Sequence, residues 1–200
     1  MKLSHLTVVT FLLSISAFQL GCNNADKKIP VSKITTEDTI YLEAGKKLAA
    51  ETQATLAKNL TNAISTGGTE YAVTFCKIQA VTLTDSMSHV LNARIKRVSD
   101  KPRNPANLAN EVQAEYIAAS IHKLQKGEKP EPTIKEFNGK IVAMYPIITN
   151  SMCLQCHGTK DTDINAETLN KINTLYPLDK ATGYGINQVR GLWVVEMIKK

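Results

Sequence analysis

Between residues 36 and 64 apolar side chains return at helical spacing, at Leu48, Leu56, Leu60 and Ile64, with Ala49 and Thr52 on the same broad face. That period predicts one long amphipathic helix, and acidic Glu37 and Asp38 after Thr35-Thr36 suit its positive amino-terminal end. Gly67-Gly68 stops the pattern. A second helical stretch is expected over about 70–86, with Ala72, Phe75, Cys76, Ala80 and Leu83 on one side, so Cys76 should face inward. At Leu91 the period shortens to that of a strand: Leu91, Ala93 and Ile95 alternate with Asn92 and Arg94. The proline-rich SDKPRNPANL then connects to a helix over about 110–127. Asn138-Gly139 between TIKEF and KIVAMYPI is a hairpin turn. A short helix near 167–175 and a last strand, VRGLWVVEMI, complete the pattern. There is no internal repeat and no low-complexity tract. Long helices first and a meander-like sheet later predict an α+β domain.

The amino terminus sets the compartment. MKLSHLTVVTFLLSISAFQLGC has one lysine and then an apolar run over 6–20, too short to span a bilayer comfortably. Such a run reads as an export signal. Gly21-Cys22 looks like a bacterial lipoprotein cleavage site, although Gln19 stands where leucine is usual, so Cys22 is the expected lipidated residue. The expected organisation is a signal peptide at 1–21, a polar tether at 22–35 and one domain at 36–200. The product is expected to face the periplasm, anchored to a membrane by its lipid. Removing 1–21 takes away Lys2 and no acid, leaving 179 residues with 23 basic and 18 acidic side chains and a formal charge of +5. That charge is spread along the chain without aromatic interleaving, so nucleic acid is not an expected partner.

Chemistry concentrates in SMCLQCHGTK, residues 151–160. With Cys22 assigned to lipid, Cys76, Cys153 and Cys156 remain, an awkward odd number after export. A Cys153–Cys156 disulfide is one solution, but no βαβ context surrounds the pair. A zinc site of Cys76, Cys153, Cys156 and His157 has acceptable composition, yet zinc would not require histidine directly after the second cysteine. C-x-x-C-H is instead the attachment pattern of one covalent haem c, with thioethers at Cys153 and Cys156 and His157 as proximal iron ligand. Candidates for the opposite iron position are Cys76, Met87, His89, His122, Met144 and Met152. Surface, junction or packing roles account for the histidines and methionines. Cys76 stands between two readings, a buried small hydrophobe and an iron ligand.

Four segments in order, FCKIQA, RIKRVSDKPRNPAN, MYPIITNSMCLQCHG and GYGINQVRGLW, resemble the Tll-like haem c-binding domain. The resemblance covers roughly residues 40–198, and RNPAN and CLQCHG are its most specific pieces. It departs where LANEVQ follows RNPAN, since the family more often has a proline there. Members occur alone in exported proteins and as sensory parts of bacterial signalling proteins. The resemblance implies a PAS-like fold: an antiparallel sheet, flanking helices and long helices at the amino terminus. It also implies one haem c with His157 and Cys76 as axial pair.

Arg97, Arg103, Asn104 and Asn107 then have two readings, as holders of haem propionates or as parts of a hydrogen-bonded turn. The expected role is a sensor of redox state or of a diatomic gas, passing its signal to a separate redox or signalling protein. The rivals are a single-electron carrier and, behind it, a peroxidase-like haem enzyme, for which only His89 offers a distal acid–base group. The long first helix could also pair with a copy of itself.

Overall fold

The computed structural model describes residues 34–200. The expected export signal, Cys22 and the tether up to residue 33 lie outside the described residues. Among the described residues no helix is long and apolar enough to cross a membrane.

Helix α1 (Thr36–Val90) opens on a capping box in which Thr35 and Asp38 satisfy each other's backbone amides. Two residues break it: Gly67 (φ −153°, ψ 28°) and Gly68 (φ 73°, ψ −175°) leave helical space. The break falls where the sequence expects it, because only glycine takes Gly68's left-handed φ without strain. The remaining elements are β1 (Arg94–Val98), a 3-10 turn at Pro105–Asn107, α2 (Glu111–Gln125), β2 (Thr133–Phe137), β3 (Lys140–Ile148), α3 (Ser151–His157), α4 (Ala166–Leu175) and β4 (Val189–Ile198). Asn138 (φ 51°) and Gly139 (φ 70°) form the expected tight turn between β2 and β3.

All four strands are antiparallel, in the order β1-β4-β3-β2. The expected meander holds for β2, β3 and β4, but β1 joins the far side of β4. The reason lies in β4, whose residues from Gly191 to Val195 are all buried. A strand apolar on both faces belongs in the middle of a sheet. One face packs Ile95, Ala143, Tyr145, Trp193 and Val195 against Leu42 and Ala49 of α1. The other packs Val98, Met144, Leu192 and Val194 against Ile117 of α2. The result is an α+β, PAS-like domain with its sheet between the two helices.

The first strand begins later than its alternation predicts. Leu91 caps α1 and Asn92 takes φ 48°, so both residues belong to the turn. The Ser88 hydroxyl accepts the Ile95 amide at 3.0 Å, and pairing with β4 starts at Arg94. Ile95 stays on the α1 face, and two residues on Arg97 follows it to that side.

Close approach, rather than turn geometry, demands glycine at Gly191. A Cβ there would strike the Val98 carbonyl oxygen and lie 3.2 Å from Ser99 Cβ. Gly191→Ala is expected to destabilise the domain by roughly 1–3 kcal/mol through this overpacking. Urea denaturation followed by circular dichroism checks this, and an unchanged midpoint would show that β1 can move aside.

Candidate functional site

Helix α3 is a single well-capped element that carries the cysteine pair. The Asn150 side chain accepts the Cys153 amide at 3.2 Å. Cys153 and Cys156, three residues apart, therefore share one helical face, with His157 one residue further on. The helix ends at Gly158, where a Cβ would meet Asp163 Cβ at 2.5 Å and the Leu154 carbonyl at 2.7 Å. The glycine after the histidine is thus sterically required.

His157 is held from both sides of the chain. Its Nδ1 lies 2.8 Å from the Ala181 carbonyl, and its own carbonyl accepts the Tyr184 amide at 2.9 Å. Arg190 Nε also approaches Nδ1, at 3.4 Å. One ring nitrogen cannot donate to the carbonyl and accept from the guanidinium together, and the shorter contact decides. Nδ1–H donates to Ala181, which leaves the Nε2 lone pair free. Burial first, then the charges of Arg190 and Arg103, hold the imidazole well below the ordinary histidine range. A neutral imidazole with a free Nε2 is the form a metal binds.

Cys76 lies in the second arm of α1, eight residues past Gly68. Val73, on the same arm, packs with Ile164, Ile172 and Tyr176, and Cys156 packs against that cluster. The arm is thereby pinned against α3 and α4. Burial pushes the Cys76 thiol up, while Arg97 and Arg103 pull it down. The Cys156 thiol is pushed up to about 11, again chiefly by burial. Among the described residues Cys76, Cys153 and Cys156 are all free thiols. Among the described residues no three of His, Cys, Asp and Glu converge as the tetrahedral zinc alternative would need.

Three arginines surround this ground. Arg97 stacks over Trp193, 5.6 Å from its ring centre, and its desolvated guanidinium has no carboxylate partner among the described residues. Arg103 is committed elsewhere: Nε and Nη2 bond the Asp179 carboxylate at 3.2 and 3.1 Å, and Nη2 reaches the Cys156 carbonyl at 2.6 Å. Asn104 accepts the Ala106 amide at 3.1 Å and caps the 3-10 turn. Of the four side chains expected at propionates, the structure thus leaves Arg97 without a carboxylate and gives Arg103 and Asn104 bracing roles, while Asn107 ends the 3-10 turn with its carbonyl accepting the Ser99 amide at 2.9 Å.

Arg190, which the sequence reading passed over, stands beside His157 and donates to Ser99 Oγ at 2.9 Å. Its signal was legible: a charged residue near the start of an otherwise apolar, buried strand is an anomaly. Among the described residues Arg103 pairs with Asp179, while Arg97 and Arg190 have no carboxylate within ion-pair distance and leave a surplus of positive charge near His157. That surplus, two thiols on one helical face and a neutral imidazole fit the haem c expected from the motif, whose propionates carry two negative charges.

Other ligand candidates lie elsewhere. Met144 faces α2, and His89 and His122 are exposed. Two open clefts, about 620 Å³ beside His89 and about 420 Å³ beside Lys101 and Tyr184, contain neither Cys153 nor Cys156. The donor set defines the site.

A single PAS-like sheet whose third helix presents Cys-x-x-Cys-His beside a thiol-bearing long helix defines a distinct class of small sheet-and-helix proteins. The chain belongs to the Tll0287-like family, whose model matches residues 30–197. It is similar to a solved structure described as the cyanobacterial heme-protein Tll0287, at 19% identity and a TM-score of 0.56, covering 79% of this chain and 96% of that one. That likeness carries the fold. No curated relative matches the chain.

Proposed function

We propose that this chain is an exported, lipid-anchored protein with one covalent haem c, acting as a sensor of redox state or of a diatomic gas. The observation that carries the reading is the His157 imidazole, fixed through Nδ1 with Nε2 free, one residue beyond two thiols on the same helical face. The haem-protein description of the structurally similar Tll0287 supports it, as does membership of that family. When bound, haem supplies an iron centre that changes oxidation state and takes a sixth ligand.

The chain's own groups do the rest. Cys153 and Cys156 hold the porphyrin edge as thioethers, and Ala181 keeps the proximal imidazole in one tautomer. Arg97 and Arg190 provide charge for the propionates. Cys76, on the second arm of α1, would be the thiol offered to the iron opposite His157. Burial favours its neutral thiol, whereas Arg97 and Arg103 favour the thiolate. A thiol balanced in this way could serve a bound iron centre as thiolate and be given up as neutral thiol, carrying the proton itself. The receiver is a separate redox or signalling protein, reached at the membrane where Cys22 is lipidated.

Absorption spectra of the oxidised and reduced protein, made with haem c maturation and with and without carbon monoxide, test the role. The expected result is a low-spin thiolate-ligated ferric form that loses the thiolate on reduction and then takes carbon monoxide. If both axial ligands persist in both oxidation states and carbon monoxide does not bind, the protein is a single-electron carrier.

A further inference from the structure

Arg103 and Asp179 stand 76 positions apart in sequence yet form a nearly buried pair, with side-chain exposures of 12% and 8%. Such a pair is weak evidence of stabilisation, because desolvation offsets most of the attraction. Its surroundings suggest a different use.

Asp179 Oδ1 also accepts the Ala181 amide at 2.8 Å, and Arg103 Nη2 reaches the Ala181 carbonyl at 3.4 Å besides its bond to the Cys156 carbonyl. One guanidinium therefore ties the residue preceding His157 to the peptide that holds the His157 ring. Lys180 donates to the Pro102 carbonyl at 3.1 Å, so the same segment is also fastened beside Arg103. Gly183 and Tyr184 donate to the carbonyls of Gly158 and His157, at 2.8 and 2.9 Å. Those backbone bonds fix where His157 is. Ala181 fixes how its ring is turned.

We infer that Arg103 and Asp179 are positioning residues for His157, clamping the Ala181 carbonyl so that the imidazole keeps one orientation and one tautomer. The inference rests on the haem reading above. Arginine suits the task because its planar fork meets the carboxylate and the carbonyls at once, which an ammonium cannot do. Outer partners of this kind orient a ligating histidine and raise its basicity.

Asp179→Asn keeps the shape of the carboxylate, and Arg103→Lys keeps the charge, so the two variants separate clamping from bulk packing. Three quantities are compared in haem-loaded protein: covalent haem content, solvent exchange of the His157 Nδ1 proton by NMR of the oxidised form, and midpoint potential. Both variants are expected to keep covalent haem while Nδ1–H exchange becomes faster than in the parent, because the carbonyl that accepts this proton is no longer braced. In Asp179→Asn the potential should also rise, since the imidazole becomes a poorer donor and Arg103 loses its counter-charge. Arg103→Lys should not restore parental exchange.

Parental exchange and potential in both variants would overturn the inference and leave an ordinary structural ion pair. So would a loss of stability with both of those readings unchanged in the folded fraction. A parent protein without covalent haem would bring down the haem reading and this inference together. Haem-bearing variants that behave like the parent would bring down this inference alone.

Discussion

Replacing both Cys153 and Cys156 with alanine should yield a protein from which acidified acetone strips all haem, whereas the parent keeps its haem through the same extraction. The expectation follows from bond type. Two thioethers survive conditions that break every axial bond, and Cys76, the remaining described thiol, lies on α1 outside the Cys-x-x-Cys pair. Each single variant should keep one thioether and resist extraction. The effect is all-or-none, so mass spectrometry of the intact chain reads it directly. The fold should survive, because Asn150 caps α3 through the Cys153 amide, which alanine retains. Haem that resisted extraction in the double variant would show that attachment lies elsewhere, and an unmodified parent would remove the haem c reading.

Cys76→Ala should change the ferric electronic and paramagnetic spectra from a low-spin thiolate type to one without thiolate, and raise the midpoint potential. Thiolate pushes electron density onto iron and favours the ferric state, so its loss makes reduction easier. The same change opens the sixth position. If Cys76 occupies that position in all but about 1% of oxidised molecules, it lowers apparent cyanide affinity about 100-fold, and the alanine variant regains that factor. Packing loss should be small, since Val73 and the hydrophobic cluster around Ile172 and Tyr176 hold the arm independently. Identical spectra in parent and variant would leave Cys76 a buried thiol and turn the functional reading toward a plain electron carrier.

What the sequence discloses follows the range of the interaction. The Gly67-Gly68 break, the Asn138-Gly139 turn, the start of α1 at Thr35 and the thiol pair beside His157 each depend on residues a few positions apart. All four are legible in the pattern. The start of β1 was misplaced because Leu91 and Asn92 satisfy strand alternation equally well. A hydrogen bond from Ile95 back to Ser88, together with register against β4, settled the boundary. The position of β1 beside β4 is likewise a property of the whole sheet. At the site, Arg103 reads from sequence as a propionate holder or as part of a turn, and its engagement depends on Asp179, far down the chain. Arg97 differs in that it lies two residues after Ile95 on the inward face, so its burial follows once the strand register is known.

The broken first helix gives the domain two separately moored bodies that share one chain segment. Before the glycines, α1 is moored to the sheet: Gln53 accepts the Trp193 indole N–H at 3.1 Å, and Leu42 accepts the Tyr145 hydroxyl at 2.7 Å. After them it is moored to α4, through Thr69 and Thr168 and through Val73. Cys76 belongs wholly to the second mooring. Were Cys76 to move, the contacts with α4 and the Ser88–Ile95 bond would be the first to feel it, since both are made by the second arm. The long helix thus divides at Gly67-Gly68 into two arms fastened to different elements, and the second carries the thiol.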